Sequence, residues 1–484
     1  MRQSEDAFLQ RVCLMVIAVW AGVCLAGCSC WPTAHPSGKP NIILVLADDL
    51  GYGDLGCYGQ RRIQTPNLDR MAAEGIRFTQ QYAGATVCAP SRCALMTGKH
   101  TGHCSIRGNV RALMKPGETT LATVLKQAGY STACIGKWGI GHPPSLQEPH
   151  LHGFDYFFGY LSMWHAHNSY PDFLFRNGQQ VPLQNVVTHP ATHYEQDQAK
   201  LIGLATQKVE YSNDLFTQDA LALLARKNEP FFLFLCYTVP HANNEAPELG
   251  GPGMEVPDLG IYADKDWPGP EKAKAAMITR LDRDLGVLLA RLKELGIDDN
   301  TLVIFTSDNG PHKEGGTDPA FFDSNGPLRG IKRDHYEGGI RTPCLARWPG
   351  HVPAGGVSDQ VWAFWDYLPT FAQLAGEPAP QDIDGISLVP TLLGRGRQKQ
   401  HEYLYWELHE GGSTQAVRLG RWKAVRLAPG KPLELYDLAA DLGEQHNLAA
   451  DHPDVIARIE KILRQARTDE ATWPLQTVAP TIPF

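Results

Sequence analysis

Apolar runs that end abruptly in polar side chains are the feature that most constrains the fold of this chain. Residues 41–47 read NIILVLA and lead directly into Asp48 and Asp49. A second run, 301–306 (TLVIFT), is followed by the polar segment 307–310 (SDNG). Continuous apolar runs of this length are typical of strands buried on both faces of a parallel sheet.

Helical patterns alternate with strand-like runs along the chain, which predicts an α/β fold: a large, mostly parallel sheet sandwiched by helices. In open sheets of this kind the ligand crevice lies beyond the carboxyl ends of the strands. The polar residues that follow the apolar runs are therefore candidate site residues. The predicted helices are 119–127, 211–226 and 273–295, and the further strands are 131–135 and 230–238.

The sequence pattern changes near residue 400. Short alternating strands are predicted within 418–425 and 433–438, and a helix at 454–467. This pattern indicates a smaller antiparallel α+β subdomain over 400–484, which leaves 40–399 as the main α/β domain. A chain of 484 residues is long enough for both, at roughly 100–200 residues per domain.

The N-terminal apolar run, 12–26, is shorter than the roughly 20 residues that a transmembrane helix needs. It ends in Leu-Ala-Gly-Cys at 25–28, which resembles the lipobox of bacterial lipoproteins, where Cys28 would carry the lipid. We expect a signal peptide at 1–27, a tether at 28–39 and export, with the lipid as the only membrane contact. The outer membrane or cell surface is the expected location and the periplasm the alternative. A short membrane anchor or a plain secretory signal are the alternatives to the lipobox.

Composition excludes some function classes. The chain has 44 Lys and Arg against 52 Asp and Glu, a net charge of −8, so it lacks the basic excess that nucleic-acid binding requires. The cysteines form no Cys-x-x-Cys pair and the histidine spacing does not suggest zinc. Cys134 and Cys236 lie inside apolar runs and are predicted core residues.

The most specific motif in the chain is residues 88–99, CAPSRCALMTGK. It resembles the signature of the type I sulfatases, Cys-x-Pro-Ser-Arg followed by Thr-Gly. In that family a sulfatase-maturating enzyme oxidises the cysteine to Cα-formylglycine, an aldehyde. The resemblance implies this modification at Cys88 and makes the maturating enzyme an expected partner.

The resemblance extends over nearly all of the chain beyond the predicted signal, and its motifs occur in the family's order. They are 48–54 (DDLGYGD), 65–69 (TPNLD), 136–138 (GKW), 240–241 (PH), 307–310 (SDNG), 330–332 (GIK), 337–343 (EGGIRTP) and 434–438 (ELYDL).

The resemblance implies a metal site made of Asp48, Asp49, Asp308 and Asn309, with the modified Cys88 as a further ligand. Three carboxylates and one amide form an oxygen-only set, which suits a hard divalent cation. The set favours Ca²⁺ over Mg²⁺.

The resemblance also implies a mechanism. Arg92, Lys137 and Lys332 would bind the hydrated aldehyde and the sulfate oxygens. One hydroxyl of the hydrate, assisted by Asp308, would attack sulfur, and His241 or Lys332 would protonate the leaving alcohol. The second hydroxyl would then expel sulfate and restore the aldehyde, so that the nucleophile regenerates itself.

One position departs from the family pattern. The family often has Gly-Lys-Trp-His, but Gly139 stands where that histidine would be. In the family the histidine helps to remove the proton when sulfate is expelled. Either His142, His103 or Asp308 serves as the base, or turnover is weak.

The expected substrate is a sulfated carbohydrate, because an exported sulfatase would meet extracellular glycans. The segment 164–171 (WHAHNSYP) combines aromatic, imidazole and amide groups that stack on sugars and bind hydroxyls. His167 in this segment and His312 are candidate substrate contacts. The alternatives are a phosphate or phosphonate monoester hydrolase of the same superfamily, alkaline-phosphatase-like, and a catalytically weak glycan-binding lipoprotein.

Overall fold

A computed structural model describes residues 38–109, 113–140, 148–189, 201–226 and 230–477. The predicted signal peptide and Cys28 lie outside the described residues, as does nearly all of the predicted tether. Lipid attachment therefore stays a prediction. Within the described ranges, no helix is both long enough and apolar enough to cross a membrane.

The strands vary in length from two residues to seven, and the long central strands lead into the site. In chain order they are β1 (Asn41–Ala47), β2 (Ile76–Phe78), β3 (Gln81–Tyr82), β4 (Ser131–Lys137), β5 (Tyr156–Tyr160), β6 (Phe173–Arg176), β7 (Gln179–Pro182), β8 (Val186–Thr188), β9 (Leu204–Gln207), β10 (Phe231–Cys236), β11 (Thr301–Ser307), β12 (Cys344–Arg347), β13 (Gly356–Ser358), β14 (Trp362–Ala363), β15 (Leu404–His409), β16 (Ser413–Leu419), β17 (Trp422–Arg426) and β18 (Glu434–Asp437).

The α-helices of the described residues include one long helix, and the others are short or of medium length. In chain order they are α1 (Pro66–Glu74), α2 (Cys88–Thr97), α3 (Leu121–Gln127), α4 (Glu148–Leu151), α5 (Ser212–Leu224), α6 (Gly269–Leu295), α7 (Glu337–Ile340), α8 (Tyr367–Leu374), α9 (Val389–Leu392) and α10 (Pro453–Gln465).

A ten-stranded sheet forms the centre of the fold, in the order β13-β2-β12-β11-β1-β10-β4-β5-β6-β7. Its five middle strands, from β11 to β5, are mutually parallel, and antiparallel strands are added on both sides. This arrangement confirms the predicted large, mostly parallel sheet.

Strand β1 explains why the sheet needs helices on both faces. Every residue of β1 is buried. Ile42, Leu44 and Leu46 pack into one hydrophobic cluster, with residues of α3 and α8, whereas Ile43 and Val45 pack into another, with residues of α5 and α6. Alternate side chains of a strand point to opposite faces, so a strand that is apolar throughout must be covered twice.

The helix predicted at 273–295 begins earlier than expected, at Gly269. Pro270 lies in its first turn, where the missing N–H of proline removes no helical hydrogen bond. The helix ends as predicted before Gly296, which has a left-handed backbone with φ of 71°.

A second, antiparallel sheet of four strands, β15-β16-β17-β18, follows the main sheet in the chain. Helix α10 packs against one face of it through Val455, Ile459 and Leu463. The predicted small α+β unit is therefore present. The described residues from Pro40 onward form one compact unit, and the predicted boundary at residue 400 stays a prediction.

Candidate active site

The polar residues that follow the strands are brought together by the register of the parallel strands. Ala47 of β1 pairs with Ser307 of β11, Leu46 pairs with Cys236 of β10, and Cys236 in turn pairs with Gly136 of β4. Four strands therefore end at the same level of the sheet. The side chains that follow each of them enter one buried site.

Asp48 and Asp49 are each paired with a lysine. Lys137 Nζ lies 2.7 Å from Asp48 Oδ2, and Lys332 Nζ lies 2.8 Å from Asp49 Oδ2. Burial alone would raise the pKa of Asp48, but the charges of Lys137, His241 and Arg92 hold that pKa below its usual range. Asp49 has a left-handed backbone, with φ of 64°, which is uncommon outside glycine although aspartate adopts it more readily than most residues.

Asp308 is held by Arg92 and by the backbone. Arg92 Nε donates to Asp308 Oδ2 at 3.0 Å, and its Nη2 lies 2.8 Å from the same oxygen. The backbone N–H of Asp49 donates to Asp308 Oδ1 at 3.1 Å. Burial, together with the charge of Asp48, raises the pKa of Asp308 to about 7 despite the opposing charge of Arg92.

The donor atoms of this site fit a cation. Asp48 Oδ1 and Asn309 Oδ1 are buried oxygens with no hydrogen-bond partner among the described residues. Asn309 is oriented by its own Nδ2, which donates to Asp49 Oδ1 at 2.6 Å. A buried polar atom without a partner is costly, and oxygens beside buried carboxylates are the donor type that a hard divalent ion prefers.

Cys88 is the first residue of helix α2, and the next residues of its motif fix that helix in place. Pro90 lies in the first turn, where proline is tolerated. Ser91 Oγ donates to the backbone carbonyl of Asp308 at 2.5 Å and accepts from Gly84 N at 3.1 Å. The motif therefore joins the start of α2 to the loop after β11.

The Cys88 thiol is buried, with 3% of the residue exposed. Burial raises the pKa of the thiol, and the nearby charges that act on it are those of Lys137, Asp48, Lys332 and Asp308. An unmodified Cys88 would thus stay a protonated thiol and a poor nucleophile. The predicted metal ligands and the predicted modified residue lie in the same site.

Lys332 Nζ makes three contacts that use all of its donors. It lies 2.8 Å from Asp49 Oδ2, 3.1 Å from His241 Nε2 and 3.1 Å from Glu314 Oε2. His241 Nδ1 bonds to the carbonyl of Ala242 at 2.7 Å, so Nδ1 carries the proton and Nε2 accepts from Lys332. Burial and the charge of Lys332 lower the pKa of His241 to about 3.

His167 stacks on His241, with ring centroids 4.8 Å apart and an interplanar angle of 15°. Its Nδ1 lies 3.0 Å from Glu245 Oε2 and 3.1 Å from Oε1. This contact orients the ring, because a carboxylate can only accept. His167 therefore lies beside His241, one of the two predicted proton donors. The contact of His167 with Glu245 is made by Nδ1 and does not involve Nε2.

His312 also lies beside His241, with ring centroids 5.9 Å apart. Both of its nitrogens are engaged by backbone: Nε2 bonds to the carbonyl of Pro240 at 2.9 Å, and Nδ1 accepts from Glu314 N at 3.0 Å. The predicted substrate contact of His312 would have to be made by its ring face.

The alternative bases for the histidine missing at position 139 differ in location. His103 Nδ1 bonds to Asp384 at 2.9 Å, and the backbone N–H of Asp384 bonds to Gly98, which follows the far end of α2. His103 is thus at the opposite end of that helix from Cys88. His142 lies outside the described residues, and Asp308 is in the site.

His100, His103 and Asp384 are close enough to suggest a second metal cluster. His100 Nδ1, however, accepts the backbone N–H of Gly102 at 3.1 Å. Its proton must therefore be on Nε2, the nitrogen that faces Asp384, which leaves no lone pair there for a metal.

Three residues that the sequence analysis missed also contact the site: Glu245, Glu314 and Asn109. Glu245 follows His241 in the loop after β10, and Glu314 follows Asn309 in the loop after β11. Attention to all acidic residues in those two loops would have found them. Asn109 belongs to a loop after α2, and no pattern in the sequence pointed to it.

Comparison with known proteins identifies the family. The family model described as Sulfatase matches residues 40–377. The chain belongs to the sulfatase family. A second model, described as N-sulphoglucosamine sulphohydrolase, C-terminal, matches residues 331–469 of this sulfatase, which include the four-stranded sheet. Hydrolysis of sulfate esters is the activity of this family.

The sulfatase is similar to characterised relatives over most of its length. It is 34% identical to arylsulfatase A of Homo sapiens over 487 residues, which cover 89% of this chain and 89% of that protein. It is 33% identical to N-acetylgalactosamine-6-sulfatase of Homo sapiens, with coverage of 90% and 87%. The crystal structure of Ps i-CgsB in complex with k-i-k-neocarrahexaose superposes with a TM-score of 0.72 at 28% identity, covering 90% of this chain and 96% of that one.

Proposed function

We propose that this sulfatase removes sulfate from a sulfated carbohydrate, using a formylglycine formed from Cys88 and a Ca²⁺ ion. The observation that carries the proposal is the placement of Cys88, at the start of α2, against a buried set of oxygen donors that includes two oxygens without partners. Both oxygens lie among buried carboxylates, where a hard cation would satisfy them.

The metal would be held by Asp48, Asp49, Asp308, Asn309 and the modified residue 88. When bound, the cation polarises the sulfate group and the hydrated aldehyde supplies the attacking hydroxyl. Oxygen-only donors, in loops rather than in a rigid octahedral frame, favour Ca²⁺ over Mg²⁺.

The charge balance of the site supports a cation. Asp48, Asp49 and Asp308 carry three negative charges when ionised, and Arg92, Lys137 and Lys332 carry three positive charges, all in buried positions. The carboxylate of Glu314, in contact with Lys332, adds a further negative charge. A divalent ion would make the whole set positive, as binding of an anionic sulfate ester requires.

The proton for the leaving alcohol is available on Lys332. His241 Nε2 accepts from Lys332 Nζ in the described arrangement, so the two groups share a proton that Nζ holds. Lys332 can pass this proton to the leaving oxygen directly or through His241. Arg92 and Lys137 keep Asp308 and Asp48 in position, because their contacts with those carboxylates are short and buried.

A sugar substrate is supported by the segment that carries His167 and by the structural neighbours. His167 is held by Glu245 beside His241, where a sugar hydroxyl could reach its Nε2. One structural neighbour, Ps i-CgsB, was solved with k-i-k-neocarrahexaose bound. Export through a lipid on Cys28, to the outer membrane or cell surface, would bring the enzyme to such glycans; the periplasm is the alternative.

Three measurements test the proposal. Protein produced together with a sulfatase-maturating enzyme should show, in the mass of the Cys88 peptide, the loss expected when a thiol becomes an aldehyde. That protein should hydrolyse nitrophenyl sulfate faster than nitrophenyl phosphate, and should release sulfate from at least one defined sulfated saccharide. A phosphate preference would favour the monoester hydrolase alternative, and saccharide binding without sulfate release would favour the glycan-binding protein.

A further inference from the structure

Asn109 is a polar side chain beside Cys88 that the mechanism above does not use. Its Oδ1 accepts a hydrogen bond from the backbone N–H of Ala89 at 3.1 Å. Cys88 Sγ lies 3.7 Å from Asn109 Nδ2 and 3.8 Å from Asn109 Oδ1. Asn109 is partly buried, so it lies at the edge of the site rather than in the core.

The orientation of this amide follows from its partners. A backbone N–H can only donate, so the Asn109 atom that faces Ala89 must be the oxygen. Of the two amide groups near residue 88, the NH₂ group is the one that can donate to it. An oxygen in place of the sulfur would be a much stronger acceptor for that N–H.

Residue 139 cannot supply a side-chain hydrogen bond to residue 88, because it is a glycine. Gly139 has a left-handed backbone, with φ of 63°, and a Cβ at this position would lie 2.9 Å from both Cγ and Cε of Lys137. Lys137 is buried and bonded to Asp48, so it has little freedom to move away. A histidine at position 139 would therefore have to displace the side chain of Lys137.

The described segment that leads to Asn109 is held through Arg107. Arg107 is fully buried and donates from Nη1 to Glu407 Oε1 at 2.8 Å and to the carbonyl of Thr468 at 3.0 Å. The carbonyl of Arg107 accepts from His409 N at 3.0 Å. These contacts place Asn109 accurately, as a group that orients a reacting atom must be placed.

We propose that Asn109 orients the reactive oxygen of residue 88 by donating a hydrogen bond from Nδ2 to it. This inference rests on the proposed conversion of Cys88 to formylglycine. The amide keeps its proton, since a carboxamide is not a base at neutral pH. Asn109 therefore orients the oxygen of residue 88 but does not replace the missing histidine, whose role in proton removal falls to another group.

Two substitutions separate this role from a purely structural one. Asn109→Ala removes both contacts. Asn109→Asp keeps an oxygen that can accept from Ala89 N, at a helix N-terminus that favours negative charge, but removes the N–H donor. Lys115→Ala is the matched control, because Lys115 lies six positions further along the chain and its side chain is 59% exposed.

Loss of one preorganised donor typically lowers kcat by about 10²-fold, so we expect that loss in both Asn109 variants. KM on nitrophenyl sulfate should stay near the wild-type value, since the contact is made to the enzyme's own nucleophile. The mass of the residue 88 peptide, measured for every variant, confirms that the comparison is between fully matured proteins.

The possible outcomes are distinct. An Asn109→Asp protein that is fully matured and turns over like the wild type would overturn the inference and leave the proposed function intact. A wild-type protein that releases sulfate with an unmodified thiol would overturn both. Equal losses in Asn109→Ala and Asn109→Asp, with Lys115→Ala unaffected, support the role of the Nδ2 donor.

Discussion

Ser91 Oγ donates a 2.5 Å hydrogen bond to the backbone carbonyl of Asp308 across 217 positions of sequence. This bond joins the helix that begins with Cys88 to the loop that supplies Asp308 and Asn309. The proposed nucleophile and the proposed metal ligands are thus parts of one rigid unit. A change at either should affect turnover far more than folding.

Cys88→Ala should abolish sulfate release while costing only about 1 kcal/mol of stability, because it removes one buried sulfur from a large core. Cys93→Ala is the matched control: Cys93 lies on the same helix and is equally buried, but has no proposed role. Turnover of nitrophenyl sulfate and the melting temperature of each variant check this prediction. Substantial activity in Cys88→Ala would contradict the proposed mechanism.

Removal of calcium should inactivate the enzyme and lower its melting temperature. The buried carboxylates lose their counter-ion, and a ligand at about 100 times its Kd contributes about 2.7 kcal/mol to stability. We expect Ca²⁺ to restore both properties after treatment with EGTA, and to do so better than Mg²⁺. The Cys88→Ala variant should keep a Ca²⁺-dependent melting temperature, which separates binding from turnover; no dependence in either protein would argue against a metal.

Gly139→His should not restore a family-like site, although it restores the family's residue. The new Cβ would press on Lys137 and the backbone would be strained, so we expect kcat to fall by about 10²-fold, as for other small displacements of catalytic groups. Gly129→His is the control, since Gly129 also has a positive φ, of 86°, but nothing lies within 4 Å of its Cβ position. An increase in kcat for Gly139→His would show that this reading of position 139 is wrong.

Glu245→Gln should weaken the hydrogen bond that orients His167. A charge-assisted hydrogen bond contributes roughly 1.5 kcal/mol, so we expect kcat/KM on a sulfated saccharide to fall by about tenfold. Nitrophenyl sulfate, which lacks a sugar, should be affected less. Glu248→Gln, in the same loop and exposed, should leave both substrates unchanged. The ratio of the two kcat/KM values is the measurement, and equal losses on both substrates would place His167 in the chemical step instead.

Glu407 should make the stability of the protein depend on pH. Burial alone would raise the pKa of Glu407, but hydrogen bonds from His409 and Arg467 and the charge of Arg107 lower it to about 2. Its stabilising effect is therefore complete above its unfolded-state pKa of about 4.5 and is lost as pH falls from there toward 2.

Glu407→Gln should cost about 3–5 kcal/mol at pH 7, because it leaves buried arginines without their partner. The cost should shrink between pH 5 and about pH 3 as the wild-type carboxylate becomes protonated. Urea unfolding at several pH values measures this, with the exposed Glu402→Gln as control. A cost that does not change with pH would contradict the role of the carboxylate charge.

Much of the fold followed from periodicity alone. Strands β1 and β11 were predicted almost to the residue, because fully buried strands produce continuous apolar runs with sharp polar ends. Their parallel pairing then brings Asp48 and Asp308 together without any knowledge of the loops. The order of the ten strands could not be predicted this way, since it depends on long-range pairing that leaves no local pattern.

The parts of the site that escaped the sequence analysis are those fixed by side chains meeting from distant loops. Asn109 is placed by Arg107 and Glu407, which are 300 positions apart in sequence. The saturation of both His312 nitrogens by backbone is likewise a property of the folded loop. A residue type suggests what a side chain can do, but only its neighbours decide which of its atoms remain available.

The buried pair of Arg107 and Glu407 has a consequence for anyone who would shorten or recombine this enzyme. A fragment cut before β15 would leave an arginine charge inside the remaining protein and would release the segment that leads to Asn109. Contacts from the C-terminal part of the chain thus hold Arg107, and with it Asn109, in position. A chimera with a relative should take Arg107 and Glu407 from the same parent. Otherwise we expect the protein to fold with Asn109, and therefore residue 88, misaligned.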